Sequence, residues 1–280
     1  MLGGIATRQK WRALHASSIL IDEPTSAYFI GVAAVVTSGI ILKKFRAFAG
    51  EPAPFVMELP TYHAPSAGNV LRSMWERGWS FIKRAGTIIL LSTVILWFLS
   101  NFGFADGGFG WVEDSDASLL AAAGSVIAVI FAPLGFGNWQ AAVATITGLI
   151  AKEEVVSTMQ VFYPGDLIAN IAMAFTAVSA YSFMIFNLLC APCFAAIGAI
   201  KREMNNARWT WAAIGYMCGF AYVVSLIVYQ LGGLLTGTVA FGLWTVVALA
   251  ALAAIIWLLV RKGYQGADRS RQLSSVAAAN

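Results

Sequence analysis

Apolar runs bounded by pairs of basic residues leave this chain few ways to fold. Ala27–Leu42 stops at Lys43-Lys44, Ala85–Phe102 follows Lys83-Arg84, and Trp209–Leu231 and Leu234–Val260 close at Arg261-Lys262. Several of these runs approach or exceed the roughly 17–25 residues that cross a bilayer as helix. Hydrocarbon offers no water to backbone N–H and C=O groups, so such runs satisfy them internally by becoming helical. Charged residues make up 11% of the chain, against roughly 25% in soluble domains. The expected fold is all-α, a polytopic transmembrane helical bundle of about seven spans. An interfacial amphipathic helix and broken or re-entrant helices are expected within it.

Between the runs the composition shifts. Residues 1–26 match no recognisable element, and the stretch to Glu23 lacks the apolar core of a signal peptide. Residues 27–42 form the first span, and residues 43–65 read as a Pro-rich cytoplasmic linker. Pro52, Pro54, Pro60 and Pro65 argue against helix there. From Ser66 to Arg84 the pattern is amphipathic, and Tyr62, Trp75 and Trp79 suit a membrane interface. The next loop is acidic and glycine-rich, and the short run Leu119–Ala132 stops at Pro133. Ala141–Tyr163 reads as a span that carries Lys152-Glu153-Glu154 near its middle. Leu167–Ile200 would be about 51 Å long as one helix, so a break is expected near Ser179–Ser182. Residues 263–280 form a polar cytoplasmic tail.

Placing Lys43-Lys44-Arg46 and Lys83-Arg84 in the cytoplasm also brings Lys201–Arg208 and Arg261-Lys262 to that side, as the positive-inside rule favours. The acidic loop and Pro164–Asp166 then lie outside, and Gly135–Asn138 inside. The N-terminus, with Arg8, Lys10 and Arg12, falls on the wrong side. That mismatch predicts preceding spans that are missing here, or a truncated or split gene. Basic residues confined to run ends give orientation and offer little support for nucleic-acid binding.

The stretch with most chemistry is Asn187-Leu-Leu-Cys190-Ala-Pro192-Cys193. Cysteines three residues apart share a helix face, as do Asn187 and Cys190. Pro192 cannot donate to the carbonyl of Leu188, which makes it a candidate gating hinge. The plainer alternative is that buried cysteines act as small apolar fillers. Lys152-Glu153-Glu154 is the second feature, because a charge at mid-bilayer costs at least roughly 2.5–3.5 kcal/mol and seeks a cavity or a partner. The plainer alternative there is a broken helix in which Lys152 neutralises a glutamate. Cys218, between Gly215 and Gly219, reads as packing. His15 and His63 have no neighbour at ligand spacing.

Several stretches resemble the C-terminal membrane half of the bacterial ferrous iron transporter B family (FeoB). They are Gly50–Tyr62, Met74–Thr87, Ile146–Glu153, Asn187–Glu203 and Gly215–Tyr222. The resemblance implies that residues 66–262 form a gate-type membrane domain in a multi-pass protein of the bacterial inner membrane. It implies Fe²⁺ as the transported ion, no stably bound cofactor, and GTP acting only through a missing domain or partner. The lipid bilayer is a partner, along with the GTPase and first-gate portion of the transporter or a separate GTPase chain. A homo-oligomer is left open. By resemblance Cys193 is the gate cysteine and Glu153 belongs to an Ala-Lys-Glu motif, whereas Cys190 occurs in only part of the family. The transient Fe²⁺ path expected is therefore Cys193, Cys190, Glu153 and Asn187. No Gly-x-x-x-x-Gly-Lys-Ser/Thr phosphate loop occurs, so no enzymatic role is expected of the chain.

Other functions compete. Cys190-x-x-Cys193 could serve a membrane thiol–disulfide oxidoreductase. A non-transporting scaffold that docks a GTPase is a further alternative. The intramembrane-protease reading fails because Glu153-Glu154 is followed by Val-Val-Ser-Thr.

Overall fold

A computed structural model describes residues 25–45, 66–105, 108–112, 115–163 and 165–262. Residues 1–24, most of the Pro-rich linker, much of the acidic loop and the polar tail lie outside the described residues. The described chain is mainly α-helical, as the apolar runs require. Helix α1 spans Thr25–Lys43, and α2, at 35 residues, spans Ala67–Asn101. The expected interfacial helix and the following span are thus one continuous helix, because no proline or glycine pair interrupts it. After it come α3 (Leu119–Phe131), α4 (Trp139–Ile150), α5 (Glu154–Phe162), α6 (Leu167–Ala174), α7 (Ala177–Leu189), α8 (Phe194–Met204), α9 (Ala207–Thr236) and α10 (Leu243–Val260).

Among the described residues α1, α9 and α10 are each long and apolar enough to cross a membrane. The pairs α3–α4, bent by 97°, and α6–α7, bent by 103°, raise that number to five if each is one broken span. In α9 and α10 only 17% and 11% of the apolar window is buried within the protein, so most of that surface is left for lipid. At the core, the ring of Phe136 stacks on Phe131 (centroids 5.2 Å apart) and meets Phe183 edge-on at 5.3 Å.

Three sequence expectations need correction. The glycine-rich loop after α2 is not irregular: β1 (Phe102–Ala105) pairs antiparallel with β2 (Gly108–Trp111). Its register places Phe102 opposite Trp111 and Phe104 opposite Phe109, and aromatic cross-strand pairs of this kind stabilise a hairpin. The break expected near Ser179–Ser182 falls earlier, at Phe175-Thr176. There the Thr176 hydroxyl caps α7 by accepting from the Ser179 N–H at 3.2 Å, and Ser182 lies inside α7.

The third correction matters most. The run Ala141–Tyr163 is not one crossing. Helices α4 and α5 fold back on each other, with the Trp139 and Phe162 rings 4.7 Å apart at one end and the Thr147 and Thr158 hydroxyls 3.0 Å apart further along. Trp139 also donates to Asp116 at 2.9 Å, so the open end of this hairpin sits beside the loop that precedes α3. Its tip is Ala151-Lys152-Glu153.

Where helices break inside apolar surroundings, their free carbonyls need donors. The turn between α3 and α4 obtains three of them from α7 and α9. Tyr222 Oη donates to the Ile130 carbonyl at 2.9 Å, Gln230 Nε2 to Pro133 at 2.8 Å, and Ser182 Oγ to Leu134 at 2.9 Å. Thr245 on α10 completes the set by donating to Gln230 Oε1 at 3.1 Å.

Candidate gate site

The second interrupted segment lies between α7 and α8. Helix α7 ends at Leu189, and α8 restarts at Phe194 with Cys193 in its N-cap position. Cys190 and Cys193 both have extended backbone, with φ/ψ of −63°/172° and −58°/158°. The expectation that the two thiols share one helix face is therefore corrected: they bracket a break. Pro192 accounts for it, since proline biases its predecessor away from helix and offers no N–H of its own. Cys190 is buried at the end of α7, and Cys193 is half-buried.

The tip of the α4–α5 hairpin meets this break. Lys152 Nζ donates to the backbone carbonyl of Asn187 and, at 3.2 Å, to Cys190 Sγ. Lys152 does not neutralise a glutamate: among the described residues it forms an ion pair with neither Glu153 nor Glu154. A lysine ammonium at a helix C-terminus is favourable because the last carbonyls carry partial negative charge. Asn187 is buried, and its Nδ2 donates to the Phe183 carbonyl at 2.9 Å. Its Oδ1 is buried with no hydrogen-bond partner. That oxygen faces Gly148, where an added Cβ would lie 3.5 Å from it and 2.6 Å from Val155.

The structure thus brings Asn187 and Cys190 together and adds Lys152, which the sequence did not single out as a contact. Glu153 is exposed at the hairpin tip, and Pro192 and Cys193 are half-buried across the break. Glu154, which the sequence singled out with its neighbours but left outside the expected ion path, lines a largely apolar cavity of about 210 Å³ whose polar side chains include Thr93, Ser100, Thr147, Ser157 and Thr158. The signal was present in part: Glu154 and Thr158 stand four residues apart, on one helix face. Cys218 lies on α9 and is half-buried. Among the described residues no group of three His, Cys, Asp or Glu side chains could hold a metal ion. Any ion received here would meet a mixed set of thiol, amide and carbonyl groups and not a closed cage.

Apolar helices long enough to span a membrane, together with interrupted ones at whose breaks polar groups converge, define a polytopic α-helical membrane protein. Comparison with known proteins narrows this class. The family model for the ferrous iron transport protein B C terminus matches residues 25–77, and the gate model described as nucleoside recognition matches residues 82–207. The Fe(2+) transporter FeoB of Staphylococcus aureus (strain COL) is 38% identical over 212 residues, covering 75% of this chain and 31% of the relative. That of Methanocaldococcus jannaschii is 36% identical over 220 residues, covering 75% and 32%. The Escherichia coli K12 protein of the same name is 29% identical over 262 residues, covering 73% and 33%. Residues 25–207 thus correspond to the C-terminal and gate regions of the ferrous iron transporter B family. The chain spans about a third of the length of the curated relatives it matches. No solved structure matches it.

Proposed function

We propose that this chain forms the C-terminal gate of a ferrous-ion permease in a bacterial inner membrane. Fe²⁺ is its cargo, and a GTPase carried on another domain or chain is its control. The observation that carries the proposal is the meeting of two interrupted helices, α4–α5 and α7–α8, at Lys152, Asn187 and Cys190. Fe²⁺ accepts thiolate, carboxylate and neutral oxygen ligands, and selection over stronger binders depends on geometry. A permeation site has to release the ion as well as bind it, which favours a few ligands over a complete shell. Cys190, Cys193 and Asn187 supply soft and neutral groups at the break, while Glu153 and Glu154 offer carboxylates on the hairpin. Pro192 keeps the break from closing into helix, so α8 can tilt against α7 and open or occlude the path.

The test is influx of radiolabelled Fe²⁺ into proteoliposomes holding the full chain, under reducing conditions, with and without a GTPase-bearing relative. Replacing Cys190 or Cys193 with serine is expected to lower influx about tenfold or more, the scale on which disturbing a metal site acts. Unchanged influx in both variants would overturn the thiol assignment. Influx that requires the GTPase-bearing protein would make the chain one part of a larger transporter.

A further inference from the structure

The two helix interruptions are satisfied in different ways. At the α3–α4 turn the free carbonyls meet neutral donors on buried side chains: Ser182 is 0% exposed and Gln230 5%. At the end of α7 the Asn187 carbonyl meets the ammonium of Lys152, half-buried and reached across from another helical hairpin. The same ammonium also holds Cys190 Sγ, while the side chain of Asn187 turns back to the Phe183 carbonyl and leaves its Oδ1 buried and unpartnered on the Gly148 side. A backbone carbonyl oxygen and a sulfur at a helix C-terminus form a small acceptor cluster that favours cations. Its present occupant is a positive charge on a flexible four-carbon stem.

We infer that Lys152 is a tethered cation, which occupies the acceptor cluster at the end of α7 and withdraws when a divalent cation takes its place. The inference rests on the permease reading for its role, but not for its chemistry. As the metal binds, the Cys190 thiol releases its proton to solvent and a metal–sulfur bond forms. The ammonium moves off with its charge intact. Because the ammonium competes from within the molecule, the apparent affinity for the cation is reduced by the fraction of time the cluster stands open. Withdrawal also frees the tip of α4–α5 from α7, coupling ion arrival to movement of the hairpin.

Co²⁺ is a suitable probe, because its bond to a thiolate gives a charge-transfer absorption. Titration of the full chain in nanodiscs, under argon with a phosphine reductant, is expected to show about tenfold tighter Co²⁺ binding in Lys152→Met if the ammonium fills the site some nine-tenths of the time. Equal or weaker binding by the folded variant would overturn the inference. A second measurement uses the unaltered protein and so does not depend on that variant folding. Acylation of Lys152 by a water-soluble active ester, mapped by mass spectrometry with Lys262 as control, should accelerate at saturating Co²⁺. A rate that Co²⁺ leaves unchanged or slows would overturn the inference equally. Failure of the permease reading looks different: no Fe²⁺ influx under any condition while Co²⁺ still displaces Lys152. Influx that depends on Cys190, with Lys152 acylation unmoved, would retain the permease and remove the tethered cation.

Discussion

Gly135 shows how closely single residues hold the interrupted helices. It ends the short turn Ala132–Leu134 with φ of +87°, in the left-handed region that side chains disfavour. A Cβ built there would lie 2.0 Å from the ring of Tyr229 on α9. Gly135→Ala therefore combines backbone strain, about 1–3 kcal/mol, with overpacking, typically about 1–3 kcal/mol. The expected outcome is a clear drop in thermal unfolding temperature in detergent. An unchanged melting temperature would show that Tyr229 does not pin this turn. Ser182 is its counterpart from the other side. Its hydroxyl reaches both the Leu134 carbonyl and Ser225, whose own hydroxyl donates to the Ser182 carbonyl at 2.8 Å. A small residue on α7 thereby fastens α9 and the α3–α4 turn together.

At the scale of elements, the reading that most changes function is the folding back of α4 and α5. In a straight helix residues 147 and 158 would be about 16 Å apart. In the hairpin their hydroxyl oxygens are 3.0 Å apart, which suits a disulfide once both are cysteine. Thr147→Cys with Thr158→Cys should cross-link under mild oxidation, read as mass loss of two hydrogens on the linked peptides. Absence of the cross-link, with both thiols still free, would restore the single-span reading. The sequence carried half of this result. Lys152-Glu153-Glu154 in an apolar run signalled a break, because charge avoids hydrocarbon. Whether the chain continues or turns back there depends on contacts such as Trp139 with Phe162, distant in sequence and invisible to periodicity. The break at Pro192 was legible for a local reason, the missing N–H. The partner of Cys190 was not, since Lys152 lies 38 residues away. The β-hairpin was legible but passed over: Phe-Gly-Phe and Phe-Gly-Trp flank Asp106-Gly107, a pair favoured in two-residue turns.

For the whole molecule, the hairpin removes crossings without disturbing the sides. If residues 119–163 leave from and return to the face that carries Asp116, the chain makes two crossings fewer than a straight reading requires. Every later loop then keeps its side, and the corrected segment is Gly135–Asn138, which no longer reaches the cytoplasm. Contacts between distant helices agree on the arrangement. Lys44, just past α1, donates to the carbonyls of Leu258 and Leu259 at the end of α10, so these two helices finish on one face. Ser38 and Tyr216 bond at 2.7 Å towards that face, and Ser26 and Tyr181 at 2.8 Å further from it. Basic residues at 43–44, 201–202 and 261–262 thus gather at one end of the bundle, where the positive-inside rule puts the cytoplasm. Labelling in right-side-out vesicles with a membrane-impermeant maleimide, mapped by mass spectrometry, tests this directly. Phe109→Cys, on the exposed hairpin, should react in intact vesicles, and Lys262→Cys only after permeabilisation. The reverse pattern would invert the protein and place the acidic loop with the cytoplasmic machinery. Reaction of both from one side would require an even number of crossings between residues 109 and 262, so that with α9 and α10 spanning, the α6–α7 segment would not cross.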